Sequence, residues 1–353
     1  MKIALITDTH WGIRNDNTIF HDNNKRFLEN IFFPFLDEHG VVNVIHLGDI
    51  VDRRKYINFL TAKRLREDFL EPLAKRDIQM NIIAGNHDVF YKNTNNVNAL
   101  DELLAGNYPN VHIHIDPIEW TFDNTTLLLL PWINDENREK TLNSIKNTTA
   151  KVVMGHLELS GFEMFKGSFN THGDDPSIFD KFDLVCSGHF HHRSTNGNIS
   201  YLGSHAEFTW SDYDDPRGFH ILDTDTLELK FIQNPYKMFK KIWYNDKDKN
   251  MAEVLDQDFS DVKNCYVKVI VVKKENPYWF DMFTERLEKA VPYDIQIIED
   301  NSITLEETDA VDEAESTIDI FKRYIDQVNS AHINKEKLES TIVSLYNEAL
   351  TIG

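Results

Sequence analysis

The sequence predicts an α/β fold in which short buried strands alternate with amphipathic helices. Five short apolar runs in the first 235 residues each end in a small cluster of Asp, His, Asn or Gly. Continuous apolar runs of this length are typical of strands that are buried on both faces. Helical patterns lie between the runs, at residues 24–38 and 60–75. This alternation predicts a sheet that is flanked by helices.

Each of the five predicted strands is followed directly by polar residues. The runs and the residues that follow them are 2–7 with Asp8 and His10, 43–47 with Asp49, 80–84 with Asn86 and His87, 151–154 with His156, and 183–187 with His189 and His191. In open α/β sheets, ligands bind outside the carboxyl ends of the strands. We therefore expect the five clusters to converge on one site.

A smaller α+β unit is predicted after the fifth strand region. Residues 265–273 have a strand pattern, residues 279–290 read as an amphipathic helix, and residues 295–298 read as another strand. The predicted domain boundaries are therefore 1–235 for the first domain and 236–300 for the second.

The last fifty residues predict an acidic linker and a helical segment. Residues 306–319 contain seven carboxylates and no Lys or Arg, a composition typical of a solvated linker, which we place at 301–317. Helical periodicity returns at 318–328 and 335–350, so a helical segment is predicted over 318–353. These helices either pack on their own chain or dock on the helices of a partner.

The composition argues against a membrane protein and against a disulfide scaffold. The apolar run at 125–132 is far too short to span a bilayer. The first residues read as a strand and not as a signal peptide, because Asp8 follows the apolar run directly. The two cysteines, Cys186 and Cys265, lie far apart in the sequence, and this fits a reducing cytoplasm.

The formal net charge of −21 limits how this chain can bind nucleic acid. It has the wrong sign for broad electrostatic attraction to phosphates. Two interpretations remain open. Either the substrate is not a nucleic acid, or metal ions and a few basic residues hold phosphate locally while a partner supplies further contacts.

Seven of the residues at the strand ends form a candidate ligand set for two metal ions. They are Asp8, His10, Asp49, Asn86, His156, His189 and His191. Carboxylate, imidazole and amide groups suit Mn²⁺, Fe²⁺ or Zn²⁺, and the absence of thiolates disfavours a structural zinc site. Each short motif by itself is typical of turns and caps. Their occurrence in this order at five strand ends favours a dinuclear site with a bridging carboxylate.

The ordered motifs D-x-H, GD, GNH, GH and GHxH resemble the calcineurin-like metallophosphoesterase superfamily, and within it the Mre11/SbcD nucleases. Segments 48–55, 155–167 and 201–223 are most similar to the phage members, which are recombination endonuclease subunits. The motifs cover roughly residues 1–235. The resemblance implies a metallophosphoesterase β-sandwich flanked by helices, a capping domain over 236–300 that shapes DNA access, and a C-terminal helical segment that binds an ATPase.

The resemblance also implies a role for each site residue. It implies one metal held by Asp8, His10 and His191, a second held by Asn86, His156 and His189, and Asp49 as the bridge. His87 would be the general acid that protonates the leaving 3′-oxygen, which suits an imidazole that titrates near neutrality. The implied cofactors are two divalent ions, with Mn²⁺ favoured and Mg²⁺ or Fe²⁺ possible.

Five further residues lie near the predicted site in the sequence without a single assigned role. Asp88 either orients His87 or caps the following turn. Some cellular relatives have a histidine where this chain has Asp52, so no role is transferred to Asp52. Arg53, Arg54 and Lys55 are candidate DNA phosphate contacts, and a solvated helix start is the alternative for each of them.

The function implied by the resemblance is that of a Mn²⁺-dependent DNA exonuclease and single-strand endonuclease in recombination, repair and end processing. The implied partners are DNA, a Rad50/SbcC-like ABC ATPase and a second copy of the chain, with no membrane. A phage-encoded protein of this kind would act in the cytoplasm of the bacterial host. Two alternatives remain: another phosphoesterase of the superfamily, such as a protein phosphatase or cyclic-nucleotide phosphodiesterase, or a scaffolding subunit whose catalysis is incidental.

Overall fold

Two six-stranded sheets dominate the protein, whose structure is a computed structural model that describes residues 1–299 and Lys335. The first sheet contains β1 (Lys2–Ile6), β2 (Asn43–His46), β3 (Gln79–Ile83), β4 (Val111–His114), β13 (Gly218–Asp223) and β14 (Leu229–Gln233). The second contains β5 (Ile118–Phe122), β6 (Thr125–Leu130), β7 (Val152–His156), β10 (Leu184–Gly188), β11 (Ser194–Asn196) and β12 (Ile199–Tyr201). A hairpin is formed by β8 (Glu163–Phe165) and β9 (Ser168–Phe169).

The two sheets pack face to face over a fully buried apolar layer. Ile3 and Ile45 from the first sheet and Leu127, Val152 and Met154 from the second belong to this layer. The spatial orders are β14-β13-β1-β2-β3-β4 and β11-β12-β10-β7-β6-β5. The strand predictions for the five motif regions are confirmed, and so is the β-sandwich that the resemblance implied.

Helices cover the outer faces of the sandwich. The helices of five or more residues in residues 1–235 are α1 (Thr18–Phe27), α2 (Phe33–His39), α3 (Phe59–Leu65), α4 (Glu71–Lys75), α5 (Ala99–Leu103) and α6 (Arg138–Asn147). A further helical turn of four residues lies at Ile13–Asp16. Short 3-10 turns occur at Pro176–Phe179 and Trp210–Asp212. Within the described part of the chain, no helix is both long enough and apolar enough to cross a membrane.

Both predicted long helices contain a π-helical turn immediately before a proline. The turn Leu28–Phe32 joins α1 to α2, and the turn Arg66–Leu70 joins α3 to α4. Pro34 and Pro72 lie at the first or second position of the helix that follows each turn. Proline lacks an N–H group and its ring crowds the carbonyl four residues earlier. A locally wider turn relieves this conflict and lets the helix continue.

The predicted small α+β unit forms a three-stranded parallel sheet with two helices. Its elements are β15 (Phe239–Asn245), α7 (Met251–Leu255), β16 (Tyr266–Lys273), α8 (Pro277–Lys289) and β17 (Asp294–Ile298). Tyr244, Val269 and Phe283 lie in the core of this unit. The predicted strand, helix and strand are confirmed, whereas β15 and α7 were not predicted.

The domain boundaries remain predictions. Residues 1–299 form one compact unit, so the structure does not separate 1–235 from 236–299. A buried contact joins the two parts: the Glu207 carboxylate accepts hydrogen bonds from the backbone N–H groups of Met238 and Phe239, at 2.7 and 3.0 Å. The predicted linker at 301–317 and the helical segment at 318–353 lie outside the described residues, apart from Lys335.

Candidate metal centre

The seven predicted ligands lie together at one edge of the sandwich. Strands β1, β2 and β3 are parallel neighbours in one sheet, and β7 and β10 are parallel neighbours in the other. Four of the seven residues turn sharply after their strand, with positive φ angles: Asp8 (50°), His10 (41°), Asp49 (55°) and His189 (87°). Left-handed backbone at residues other than glycine persists where the surroundings hold it, often at functional sites.

Asp8, His10 and His191 form the first ligand group. One ligand atom from each of these residues lies within 4.8 Å of the others. The Nε2 atoms of His10 and His191 are 3.0 Å apart, and Asp8 Oδ1 is 3.9 Å from His10 Nε2. The hydroxyl group of Thr7 donates to Asp8 Oδ2 at 2.6 Å and fixes the carboxylate.

Asp49, Asn86, His156 and His189 form the second group. Ligand atoms of Asp49, His156 and His189 lie within 4.8 Å of one another. Asn86 joins them, because its Oδ1 atom lies 2.9 Å from His156 Nε2 and 2.9 Å from His189 Nδ1. The other ring nitrogen of His156 is 2.7 Å from the carbonyl oxygen of Leu47, which orients the imidazole.

One oxygen of Asp49 connects the two groups. Asp49 Oδ2 lies 3.3 Å from His156 Nε2 in the second group and 3.9 Å from His10 Nε2 in the first. The other oxygen, Oδ1, accepts the backbone N–H of His87 at 2.7 Å. A carboxylate that reaches both ligand groups has the geometry that a bridging ligand requires.

Burial and neighbouring charges shift the pKa values of the ligand groups. Burial raises the pKa of Asp8, and the neighbouring Asp49 charge contributes to this shift. Burial also opposes ionisation of Asp49, but the charges of His156 and His87 hold the pKa of Asp49 well below its usual range. Burial lowers the pKa of His189 to about 3, so this imidazole is neutral, as a metal ligand must be.

Two glycines of the motifs leave space for the ligands. A Cβ atom on Gly85 would lie 2.2 Å from Asp49 Oδ1 and 2.4 Å from the backbone nitrogen of Asp49. A Cβ atom on Gly48 would lie 2.5 Å from His156 Nδ1. The donor set of oxygen and nitrogen atoms, closely held and buried, therefore fits two divalent metal ions of the Mn²⁺, Fe²⁺ or Mg²⁺ type.

His87 lies beside the ligands, and the backbone of the neighbouring loop orients its ring. Its Nδ1 atom is 2.6 Å from the carbonyl oxygen of Asp52, and the ring centroid is 4.9 Å from that of His10. A carbonyl oxygen can only accept, so Nδ1 carries the hydrogen and Nε2 is left for proton transfer. The general-acid role of His87 remains a prediction.

Asp88 neither orients His87 nor caps the turn that follows it. Its buried carboxylate accepts four backbone N–H groups, those of Gly85, Asp49, Ile50 and Val51, at 2.8 to 3.2 Å. Both interpretations from the sequence were therefore wrong. Asp88 holds the loop after β2 against the loop after β3, and so fixes Asp49 relative to Asn86.

Two residues of the site environment, Asp52 and Trp132, received no role from the sequence. Asp52 Oδ1 lies 3.6 Å from His10 Nδ1, and a third group of possible ligand atoms consists of His10, Asp52 and His87. The Phe208 ring packs edge-on against His10, with 5.8 Å between ring centroids, and Trp132 lies 5.2 Å from His189. Trp132 follows strand β6 just as the ligands follow theirs, and this signal was available in the sequence.

The three predicted DNA contacts differ in their surroundings. The Arg53 guanidinium is already bound, at 2.7 Å to Asp16 Oδ2 and 3.0 Å to Asn15 Oδ1. Lys55 is exposed, and its Nζ lies 6.0 Å from the centre of the Phe90 ring. Arg54 is partly buried, and its Nη1 atom makes no hydrogen bond to the described residues. A DNA contact by any of the three remains a prediction.

The chain is similar to several known proteins. Residues 1–193 match the calcineurin-like phosphoesterase family. Exonuclease subunit 1 of Enterobacteria phage T4 is 33% identical over 356 residues, covering 99% of this chain and 99% of that protein. The SbcD subunit of the SbcCD nuclease of Staphylococcus epidermidis is 23% identical over 315 residues, covering 79% and 78%. A solved dimetal phosphatase from Danio rerio is 13% identical, covers 63% of this chain and 91% of its own, and has a TM-score of 0.41. The chain belongs to the calcineurin-like phosphoesterase family.

Proposed function

We propose that this chain is a metal-dependent DNA nuclease and the catalytic subunit of an Mre11-Rad50-like complex that acts in recombination, repair and end processing. The observation that carries the proposal is the Asp49 carboxylate, which reaches both ligand groups and also receives the N–H of His87. The names of the two relatives support DNA as the substrate, since one is an exonuclease subunit and the other a nuclease subunit.

The residues of the site have complementary roles in phosphodiester hydrolysis. Two divalent ions, held by the two ligand groups, supply Lewis acidity to a bound phosphate. Because the Nδ1–H of His87 is bound to the carbonyl of Asp52, Nε2 is the ring nitrogen that carries the second, transferable proton in the imidazolium form. From there it protonates the 3′-oxygen as the bond to phosphorus breaks. Asp88 keeps the loops of Asp49 and Asn86 in register throughout the reaction.

The proposed metal is Mn²⁺. Asn86 and the two carboxylates offer oxygen atoms, and the four ligand histidines offer nitrogen atoms, a mixture typical of Mn²⁺ and Fe²⁺ sites. Mg²⁺ prefers oxygen ligands and waters, so a site with four imidazoles favours Mn²⁺ over Mg²⁺.

An ATPase partner of the Rad50/SbcC kind belongs to the proposal. Both relatives are named as subunits, which supports an assembly with another chain. The net charge of −21 makes strong unaided binding to DNA unfavourable, so part of the DNA-binding surface would come from the partner. We infer that the assembly acts in the cytoplasm of a bacterial host, and the phage source of one relative supports this.

A homodimer is also proposed, with the start of α3 at its interface. Phe59 is 94% exposed, and Tyr56 and Leu60 beside it are 64% and 41% exposed. Exposed apolar side chains that cluster in this way often mark a protein interface. Sedimentation of Phe59→Asp against the wild type tests this: a dimer that becomes monomeric supports the interface, and an unchanged state contradicts it.

A nuclease assay on plasmid and linear duplex DNA with Mn²⁺ tests the proposed function. His87→Ala is expected to reduce the rate by about 10² to 10⁴, the usual contribution of a general acid. His39→Ala is the matched control, because His39 is an exposed histidine on α2. Both variants are compared with the wild type, with and without the ATPase.

Each outcome of this assay has a different meaning. Hydrolysis of phosphate monoesters or cyclic nucleotides without DNA cleavage would exclude the nuclease and favour another phosphoesterase activity. DNA cleavage that survives the loss of His87 would exclude His87 as the general acid. A protein that binds the ATPase and cleaves nothing in its presence would be a scaffolding subunit.

A further inference from the structure

Arg54 differs from the other arginines of residues 1–299 in having no hydrogen bond, ion pair or ring contact there. Its Nη1 atom is buried and makes no hydrogen bond. Every other arginine within this range has a hydrogen bond, an ion pair or an aromatic ring against its guanidinium. No residue that the structure describes therefore accepts a hydrogen bond from this nitrogen of Arg54.

An unpaired guanidinium in such a position is unfavourable for the protein alone. Burial lowers the pKa of Arg54, and the charge of Asp49 acts in the opposite direction. The guanidinium has therefore lost part of its water and lies within electrostatic reach of the metal centre. Arginine keeps its proton under all ordinary conditions, so this charge can be balanced only by an anion. Burial of a charge without a partner is costly, and a group held in that state is a candidate for binding a ligand.

The loop that carries Arg54 is anchored at every preceding position. Asp88 accepts the N–H groups of Ile50 and Val51, and the Asp52 carbonyl accepts from His87. The Arg53 guanidinium is bound to Asp16 and Asn15 across the neighbouring loop. The backbone before Arg54 is therefore held in place, while its own side chain is left without a hydrogen bond to the described residues. This combination is typical of a preorganised binding group.

Phosphate is the anion that fits this position. A guanidinium donates two parallel N–H groups that match two phosphate oxygens, and this geometry is favoured when the site is partly shielded from water. Arg54 follows the central carboxylate Asp49 by five residues on the same loop. We propose that Arg54 binds a non-bridging oxygen of the substrate phosphate beside the metal centre, and that Arg53 is a structural residue of the loop. The identification of DNA as the substrate rests on the proposed function. The identification of phosphate as the ligand of Arg54 rests on the structure alone.

Kinetics of the Mn²⁺-loaded full chain test the assignment. Arg54→Ala is compared with the wild type on a single-stranded oligonucleotide and on bis(4-nitrophenyl) phosphate. Loss of a charged hydrogen bond to substrate is expected to raise KM by roughly 10- to 100-fold, with kcat nearly unchanged. Arg54→Lys keeps the charge and loses the paired donors, so an intermediate KM is expected. Arg66→Ala is the matched control, because Arg66 is exposed and paired with Glu67 and Glu71.

Calorimetric titration with inorganic phosphate supplies a readout that does not depend on activity. Phosphate is expected to bind Arg54→Ala about 10- to 100-fold more weakly than the wild type and Arg66→Ala equally well. The melting temperature of Arg54→Ala without phosphate should not fall, because the buried nitrogen of the removed side chain makes no hydrogen bond. Unchanged phosphate affinity and KM in Arg54→Ala would overturn the proposal, and so would equal losses in Arg66→Ala.

The same experiment separates this inference from the proposed function. If the wild type hydrolyses bis(4-nitrophenyl) phosphate and not DNA, the nuclease function fails. The role of Arg54 is then still decided by the phosphate titration. If DNA is cleaved and phosphate binds Arg54→Ala as tightly as the wild type, the nuclease function stands and the role of Arg54 fails.

Discussion

Replacement of Asp88 by asparagine tests how the site is held together. The Asp88 side chain is fully buried, and each of its oxygens accepts two backbone N–H groups. Oδ2 accepts from Gly85 and Asp49, and Oδ1 accepts from Ile50 and Val51. Asparagine has nearly the same shape but only one oxygen. Two of the four N–H groups would therefore face an NH₂ group, which cannot accept a hydrogen bond.

The expected loss of stability follows from those two N–H groups. A buried donor without an acceptor costs about 1–3 kcal/mol, so two of them cost about 2–6 kcal/mol. Burial and the charge of Asp49 together raise the pKa of Asp88 to about 6. In Asp88→Asn the repulsion between the two carboxylates is relieved, and this relief offsets part of the cost. We therefore expect the free energy of unfolding to fall by about 2–4 kcal/mol, a large share of the total of about 5–15 kcal/mol typical of domains.

Urea unfolding of the metal-free chain measures this loss, and Mn²⁺ titration measures its effect on the site. The affinity for Mn²⁺ should fall as well, because the backbone of Asp49 loses its anchor. Asp180→Asn is the control, since Asp180 is exposed and its side chain makes no hydrogen bond within the described residues. A loss below about 1 kcal/mol with unchanged Mn²⁺ affinity would refute the view that Asp88 holds the two loops together.

Three other predictions concern the site and the surrounding fold. Gly85→Ala should weaken Mn²⁺ binding at least about tenfold by calorimetry, because its Cβ atom would lie 2.2 Å from Asp49 Oδ1. Gly40→Ala should leave Mn²⁺ binding unchanged, because its Cβ atom meets nothing within 4 Å. Burial lowers the pKa of His220 from 6.5 to about 3, so between these values the unfolded chain binds a proton that the folded protein excludes, and stability falls as the pH falls. His220→Phe should make this dependence shallower by up to about 1.4 kcal/mol per pH unit in urea titrations, and equal slopes would count against it. Mn²⁺ at about 100 times its Kd should stabilise the wild type by about 2.7 kcal/mol per site in thermal melts. EDTA should remove this stabilisation, and Asp49→Asn should reduce it. A wild-type melting temperature that Mn²⁺ does not raise would argue against a metal centre.

Local pattern was sufficient to predict the elements that carry the site. The apolar runs that end at Asp8, Asp49, Asn86, His156 and His189 are all strands in the structure, with ends shifted by one or two residues. Helix α1 begins at Thr18 and not at residue 24, and the Asn17 side chain caps this end by accepting the N–H of Ile19. The spacing of apolar residues and the residues that form turns are both set by neighbouring positions in the sequence, so the sequence reveals them reliably.

The partners of individual side chains could not be predicted in this way. The sequence treats Arg53 and Arg54 as equivalent, yet the first binds Asp16 and the second has a buried nitrogen without a partner among the described residues. The role of Asp88 depends on the loop after β2, nearly forty residues earlier in the chain, whose N–H groups it accepts. Such pairings depend on which loops meet in space, and no local pattern records that.

By itself, the sequence determined which chemical groups are available and that each follows a strand. It was sufficient to indicate oxygen and nitrogen ligands, a small α+β unit and an α/β class. Only the tertiary structure decided that β1, β2 and β3 belong to one sheet while β7 and β10 belong to another. It also decided that Asp49, at the meeting edge of the two sheets, reaches the ligands of both groups. The reason is physical: the packing of one sheet on the other is driven by apolar surface from distant parts of the chain, and its register is a property of the whole core.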